Sequence, residues 1–468
     1  MDLDDQARER LAKMGSAPYT RRGLVRRGAA LGLGAAAVHS AVNVSAAQGD
    51  AVELTLLEHQ EPRVALLEEM LPKFEEQMAA QGMNITVNLQ EAPAPDTEFQ
   101  TKLTLDFSSG NAPDVTSFGG TITADFAAAG YLLDLTTQAN EWPDWEGHFY
   151  PKLRDEQLQV DGKMYSIPRE ASIVQLFYRK DVLEANNIST EQPMSWQDLL
   201  DRMKAVTEKT GHPSLLFPAG EAWGGGTFFE GFIHLMLGTD SPLFDETDQK
   251  WVVRSPGLTQ VLTFYEEMTK AGTLPVEPLL NPEPWVATKY EAFPAGELVA
   301  TTSGTWGWIF DWGPDGAAPI EDLFEKVATW EFPTAAGDET FVWGATGWVW
   351  AISAQTEHPE EAWELVKWLA GGEFMAANAV TIGATATRDD LQTVAPYSEY
   401  PFLIDAEKRL ANARSFQAPE GTDRMVQAVG EATEAIITER QTGEETAATL
   451  AEQATELLGE DKVKEIEG

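Results

Sequence analysis

Two short strand-like stretches enclose an amphipathic helix near residue 50, and this order constrains the fold more than any other part of the chain. Val52-Glu53-Leu54-Thr55-Leu56-Leu57 has strand chemistry and leads into Glu58-His59-Gln60. Leu66, Leu67, Met70, Leu71 and Phe74 then recur at helical spacing on one face. Ile85-Thr86-Val87-Asn88-Leu89 alternates as a second strand. Strand, helix and strand at this spacing predict a βαβ unit, hence a parallel sheet and an α/β class. Residues 99–107 read as a further helix, broken at Asn111-Ala112-Pro113, with Asp114-Val115-Thr116-Ser117 as the next strand.

The later chain carries clear helix punctuation. Residues 196–210 form a predicted helix with Ser195 as cap and Gly211 as stop. Residues 258–270 form another, closed by Gly272, and 359–370 open with proline and end at Gly371-Gly372. Residues 422–460 predict two amphipathic helices split near Thr442-Gly443. No repeat or low-complexity linker interrupts the 468 residues, a length that suits two or three domain-sized units. A two-lobed α/β architecture without a flexible tether is expected.

The amino end has different chemistry. Arg21-Arg22 opens a basic stretch, the apolar run 28–38 follows, and small residues close it at Val44-Ser45-Ala46-Ala47. A charged region, an apolar run and an A-x-A-like site predict an export signal over 1–47 of twin-arginine type. The apolar run is shorter than the ~20 residues a membrane span needs. The chain is therefore expected in the periplasm or at the cell exterior, membrane-held only if the signal stays uncleaved. The formal net charge is -42, and the first 46 residues are net basic, so the remainder is near -45. Such a surface repels phosphate backbones and anionic lipid, which argues against nucleic-acid binding. The acids are spread along the chain, as expected of a solvated surface, although adaptation to salt and attraction of a cationic ligand both fit. There are no cysteines, which excludes disulfides, thiolate metal sites, cysteine nucleophiles and a lipid-anchored cysteine.

Several catalytic signatures are missing. The histidines form no H-E-x-x-H, Gly224-Gly225-Gly226 lacks the Gly-Lys-Ser/Thr of a phosphate loop, and no G-x-S-x-G elbow occurs. No metal or cofactor is expected. The 15 tryptophans stand out, many beside glycine, as in Thr305-Trp306-Gly307-Trp308, Val342-Trp343-Gly344 and Gly347-Trp348-Val349-Trp350. Rings beside glycine suit loops and strand ends, where a face can stack on the C–H side of a sugar while carboxylates accept hydroxyl protons. The competing reading is that such rings fill cores; Trp363 and Trp368, on a helical pattern, belong there, as does Tyr178.

At Asp161-Gly162-Lys163-Met164-Tyr165-Ser166-Ile167-Pro168 and Phe177-Tyr178-Arg179-Lys180-Asp181 the chain resembles the family 1 extracellular solute-binding proteins of ABC importers. Ser109-Gly110-Asn111-Ala112-Pro113-Asp114-Val115, Ser195-Trp196-Gln197-Asp198-Leu199-Leu200, Phe293-Pro294-Ala295-Gly296-Glu297, Gly347-Trp348-Val349-Trp350-Ala351-Ile352-Ser353 and Pro359-Glu360-Glu361-Ala362-Trp363 follow in the family's order. The resemblance implies a two-lobed periplasmic-binding-protein fold with strands crossing a hinge near 165–168, 342–347 and 395–400. One lobe would hold 48–166 plus 346–395, the other 167–345 plus 396–468. Ligand would sit between lobes that close on it.

Carried over from the family's maltodextrin-binding members, the site would include Phe118 as stacking ring, Glu221 and Trp223 on the second lobe, and Trp306. The acidic position after the Ile-Pro step falls on Ser172, with Glu170 near, and a late stacking position falls on Val426; both depart from the pattern. The first strand of the family ends at the cleft, which nominates Glu58 and His59. Ser117, Arg169, Trp343 and Trp348 complete the candidates, with an Arg169–Glu170 pair across the hinge as the structural alternative to ligand contact by Arg169. The implied role is a non-enzymatic, monomeric receptor that hands a sugar or sugar-like solute to ABC permease subunits. A secreted glycoside hydrolase shares the aromatic and carboxylate ingredients, and a polyamine-type cationic solute is the other alternative ligand.

Overall fold

A computed structural model describes residues 51–92, 96–158, 162–416 and 418–466. The predicted export signal and Asp161 lie outside the described residues. Strand β1 (Val52–Glu58), helix α1 (Glu61–Ala80) and strand β2 (Ile85–Glu91) form the expected βαβ unit, with β1 and β2 parallel in register from Val52 opposite Ile85 to Glu58 opposite Glu91. Helix α2 (Asp96–Ser109) leads to β3 (Val115–Gly119), parallel to β1 on its other side. Strands β4 (Ile167–Pro168) and β5 (Ala171–Arg179) follow almost without a break.

Helix α3 (Trp196–Thr210) starts where the Ser195 hydroxyl accepts the Asp198 N–H and ends on left-handed Gly211, as the sequence predicts. Then come β6 (Leu215–Leu216), α4 (Pro256–Lys270), β7 (Ala300–Gly304), β8 (Val327–Trp330), β9 (Trp343–Thr346) and β10 (Trp348–Ile352). Helices α5 (Pro359–Leu369), α6 (Gly372–Ile382), α7 (Thr422–Ile437) and α8 (Gly443–Leu458) complete the main elements, and α8 opens on a Thr442–Glu445 capping box.

The strands build two principal sheets. One has the order β2-β1-β3-β10-β4; the other is β8-β5-β7-β6, with β9 also paired to β5. Each has its own core. Leu54, Leu56, Phe74, Trp350 and Trp363 pack under the first, and Leu176, Phe177, Trp196, Tyr265 and Trp312 under the second. Tyr178 is buried, its ring stacked on Trp330 at 3.8 Å. Strand β5 is buried nearly throughout, its polar Gln175 and Arg179 included, because both its faces are covered.

The chain passes between the sheets twice in adjacent extended segments. From β4 to β5 it runs through Arg169 and Glu170; from β9 to β10 it turns at Gly347. These passages are hydrogen-bonded to each other, Arg169 N–H to Trp348 C=O at 2.9 Å and Gly347 N–H to Glu170 C=O at 3.0 Å. A Cβ on Gly347 would lie 2.4 Å from Ser172 Oγ, so a side chain at this close crossing would displace that hydroxyl. Further along, Tyr397 and Leu403 still pack in the first core, Ala406 and Leu410 pack on Ala171, Ile173 and Val342 beside the crossing, and Met425 and Ala428 lie in the second core.

Candidate functional site

The end of β1, the crossing strand and helix α6 converge on a buried polar network. Glu58, wholly buried, accepts Arg169 Nη1 at 2.6 Å and the backbone N–H groups of His59 and Gln60 at 2.8 and 3.0 Å. The same Arg169 nitrogen donates to Ser117 Oγ at 2.6 Å, and Arg169 Nε and Nη2 both donate to Asn378 Oδ1 on α6. The guanidinium lies 4.3 Å over the Trp350 ring. Glu170 faces away and is held by Arg63 of α1, whose Nη2 reaches its two oxygens at 2.7 and 2.6 Å, and by Asn378 Nδ2 at 3.3 Å. Burial alone would raise the Glu58 carboxyl, but Arg169, the His59 contact, Arg63 and the Gln60 N–H together hold it well below the usual carboxylate range.

The Arg169–Glu170 pair is not formed. Consecutive residues in an extended segment point to opposite sides, so Arg169 pairs with Glu58 and Glu170 with Arg63. His59 stacks between Phe99, at 4.1 Å between ring centres, and Trp348, at 5.1 Å. Six of the twelve candidates, Glu58, His59, Ser117, Arg169, Glu170 and Trp348, thus gather at the crossing.

The other six are dispersed. Phe118 is buried beside the network, its ring edge-to-face with Phe126 at 5.3 Å, and it presents no open face in this conformation. Ser172 sits half-buried in β5 opposite Ala345. Trp223 is buried in the second core, edge-on to Trp285 and with the Lys289 ammonium 5.7 Å from its ring centre. Trp306, half-buried, lies on the short turn after β7, its ring folded over Gly304. Glu221 is exposed and lines a polar groove with Glu431, Arg440 and Gln453 of the α7–α8 region.

Trp343, half-buried, lines a different space. A crevice between the two halves is bounded by Gly120 and Thr121 after β3, Glu156 and Gln157, Trp343, Ala345 and Thr346 of β9, and Phe416 and Ala418. Between these walls and open to solvent on one side, about 30 Å³ is free, enough for a water or one substituent. Gln157 is fully used: its amide donates to Leu153 C=O and Thr346 Oγ1, and its oxygen accepts from Ser166. Glu156 Oε2 accepts the Thr346 N–H at 2.7 Å. Its Oε1 meets no partner with sound geometry, although the Ser415 hydroxyl is near enough to favour the charged form. Burial dominates and pushes the Glu156 carboxyl up.

Sequence reasoning passed over Arg63, Asn378, Glu156 and Phe416. Two of these carried a signal. Arg63 occupies the apolar stripe it shares with Leu67, Met70, Leu71 and Phe74, and Asn378 sits in a helix that is otherwise almost wholly apolar. A polar group at such a position must find a partner inside.

Comparison with known proteins agrees with this architecture. The family described as bacterial extracellular solute-binding protein matches residues 69–403. Binding proteins of Brucella abortus are 30% identical over 155 residues, 33% of this chain and 35% of theirs, so the chain spans about a third of the length of these curated relatives. The diacetylchitobiose binding protein of Streptomyces coelicolor is 25% identical over 63% of this chain and 65% of its own length. The multiple sugar-binding protein of Streptococcus mutans is 22% identical over 71% of this chain and 74% of its own. Among solved structures, the maltose-bound MalE3 of T. maritima superposes with a TM-score of 0.72 at 21% identity, covering 87% of this chain and all of that one. The GacH receptor of Streptomyces glaucescens, solved unliganded and with acarbose, gives 0.71 at 17% identity over 88% of this chain and all of its own. These likenesses establish the two-lobed α/β fold.

Proposed function

This chain belongs to the bacterial extracellular solute-binding protein family, and we propose that it is an extracytoplasmic receptor delivering a sugar or sugar-like solute to an ABC permease by lobe closure. The observation that carries the proposal is the pairing of a strand crossing with a crevice lined from both halves. The crevice, open to solvent on one side, holds about 30 Å³ of free space; parting of the halves would widen it for a sugar, and the extended crossing segments are where they can bend. Trp343 and Phe416 supply ring faces there, and Thr121 and Glu156 supply polar atoms that read hydroxyl or amine groups.

In this reading the lobes divide as 48–166 plus 346–395 and 167–345 plus 396–468. Packing of Tyr397 and Leu403 in the first core favours moving the third crossing to residues 403–414. The Glu58–Arg169–Asn378–Glu170–Arg63 network anchors the crossing strand to the first lobe, so motion is concentrated beyond it. Partner permease subunits, export and the absence of turnover belong to the same proposal. The relatives named above as sugar binders support the carbohydrate class.

The test is calorimetric titration of the purified chain with a panel of mono- and oligosaccharides, joined to a product assay on each. Saturable one-to-one heat without product release supports the receptor. Sustained hydrolysis of any sugar, or silence across the panel, overturns it.

A further inference from the structure

We infer that the solute selected at this crevice carries a protonated amine, so that an amino sugar is preferred over a neutral one, and that Glu156 is the residue that reads it. The inference rests on the receptor reading above and deepens it.

Glu156 is the charged side chain lining the crevice among the described residues, and it is 4% exposed. One of its oxygens is committed to the Thr346 N–H, and the other, with the Ser415 hydroxyl nearby, makes no hydrogen bond of normal geometry. It forms no ion pair among the described residues. Lys152 acts on it electrostatically without touching it, its ammonium donating to Ala413 C=O at 2.6 Å, so Glu156 has a positive charge nearby and no contact ion pair. Gln157 is saturated and has no N–H to spare. This contrasts with the strand crossing, where each buried carboxylate has its own guanidinium.

A buried carboxylate without a directly bonded counter-charge is costly unless something supplies one. A ligand hydroxyl would return a hydrogen bond. An ammonium would return the hydrogen bond and a charge in direct contact together, and its bond to a carboxylate is the stronger kind. The Trp343 and Phe416 rings line the same space, and ring faces attract cations as well as C–H groups. The free space of about 30 Å³ matches a single substituent of that size.

The test uses three β-1,4-linked disaccharides that differ only at carbon 2: the amine-bearing chitosan disaccharide, diacetylchitobiose and cellobiose. Each is titrated calorimetrically into the full chain at neutral pH, above the range in which the raised Glu156 carboxyl takes up its proton, where pairing with it favours the protonated sugar amine. The amine-bearing sugar is expected to bind at least about tenfold tighter than the other two. Glu156→Gln keeps an acceptor for the Thr346 N–H and is expected to bring the three within about threefold of one another. Glu156→Asp keeps the charge and is expected to preserve the order of preference; circular dichroism confirms that both variants fold. Equal or tighter binding of a neutral disaccharide, or an amine preference that survives Glu156→Gln, overturns the inference. So does binding of other neutral sugars with none of these three. Failure of every sugar in the wider panel overturns the receptor reading instead.

Discussion

The strand crossing and the crevice lie side by side, and both bury carboxylates, yet they treat them in opposite ways. At the crossing, Glu58 and Glu170 each meet a guanidinium, and Asn378 joins the two pairs. In the crevice, Glu156 keeps an oxygen without a geometrically sound bond. The difference separates two uses of buried charge. A closed set of pairs fixes one arrangement of strands, and losing a member leaves an uncompensated ion. An incomplete set leaves room for a group that comes from outside. Burial acts on both carboxyls in the same direction, and the partners alone decide that one ends low and the other high.

The largest expected effect breaks the closed set. Arg169→Met removes the counter-charge of Glu58 and should lower folding stability by about 3–5 kcal/mol in urea titration. Adding Glu58→Gln to that variant should restore part of the loss, because the two residues act as a unit. If the double variant is as unstable as the sum of the single ones, the network is not the closed set described.

The second test sets the two carboxyls against each other in pH. Glu58 has a depressed folded-state value, so its contribution is present above the ordinary glutamate value of about 4.3 and is lost as pH falls below it. Glu156 has a raised value, so the folded state is penalised near neutrality and gains stability as pH falls through that value towards about 4.3. Thermal midpoints followed from about pH 7 to 3 should show a weaker acid loss in Glu58→Gln and a weaker mildly acidic gain in Glu156→Gln. Asp311, pushed up to about 6 by burial, titrates in the same window, so each variant is read as a difference from the unmodified chain.

A third test sharpens the contrast between anchoring and binding. Trp343→Ala should weaken the best sugar ligand by about tenfold, roughly 1.4 kcal/mol, while lowering the urea midpoint far less than Arg169→Met does. The smallest expected effect returns to the crossing. Ser117→Ala removes one acceptor from Arg169, which keeps Glu58 and Asn378, and should cost about 1 kcal/mol in stability.

Local order was legible in the sequence because local rules govern it. The βαβ start, the Ser195 cap, the Gly211 stop and the split at Thr442 appear where periodicity and capping put them. The gathering of Glu58, Ser117, Arg169 and Glu170 was legible through the family pattern, but their pairing was not. Which carboxylate meets which guanidinium depends on α1 and α6 arriving from 63 and 378, and strand spacing carries no record of that approach. Glu156 gave no local signal, since its burial comes from β9 and residues near 416 closing over it. Phe118 shows the reverse problem: its place in the order of motifs suggested a stacking ring, and its position in β3 turns it into the core against Phe126.

The central claim is that two halves close on a small solute at the crevice. Small-angle X-ray scattering with and without the sugar that gives calorimetric heat tests it most directly. Closure gives a smaller radius of gyration on saturation, reversed when the sugar is dialysed away. A saturable heat with an unchanged scattering profile, on a chain that already scatters as the closed form, would contradict it.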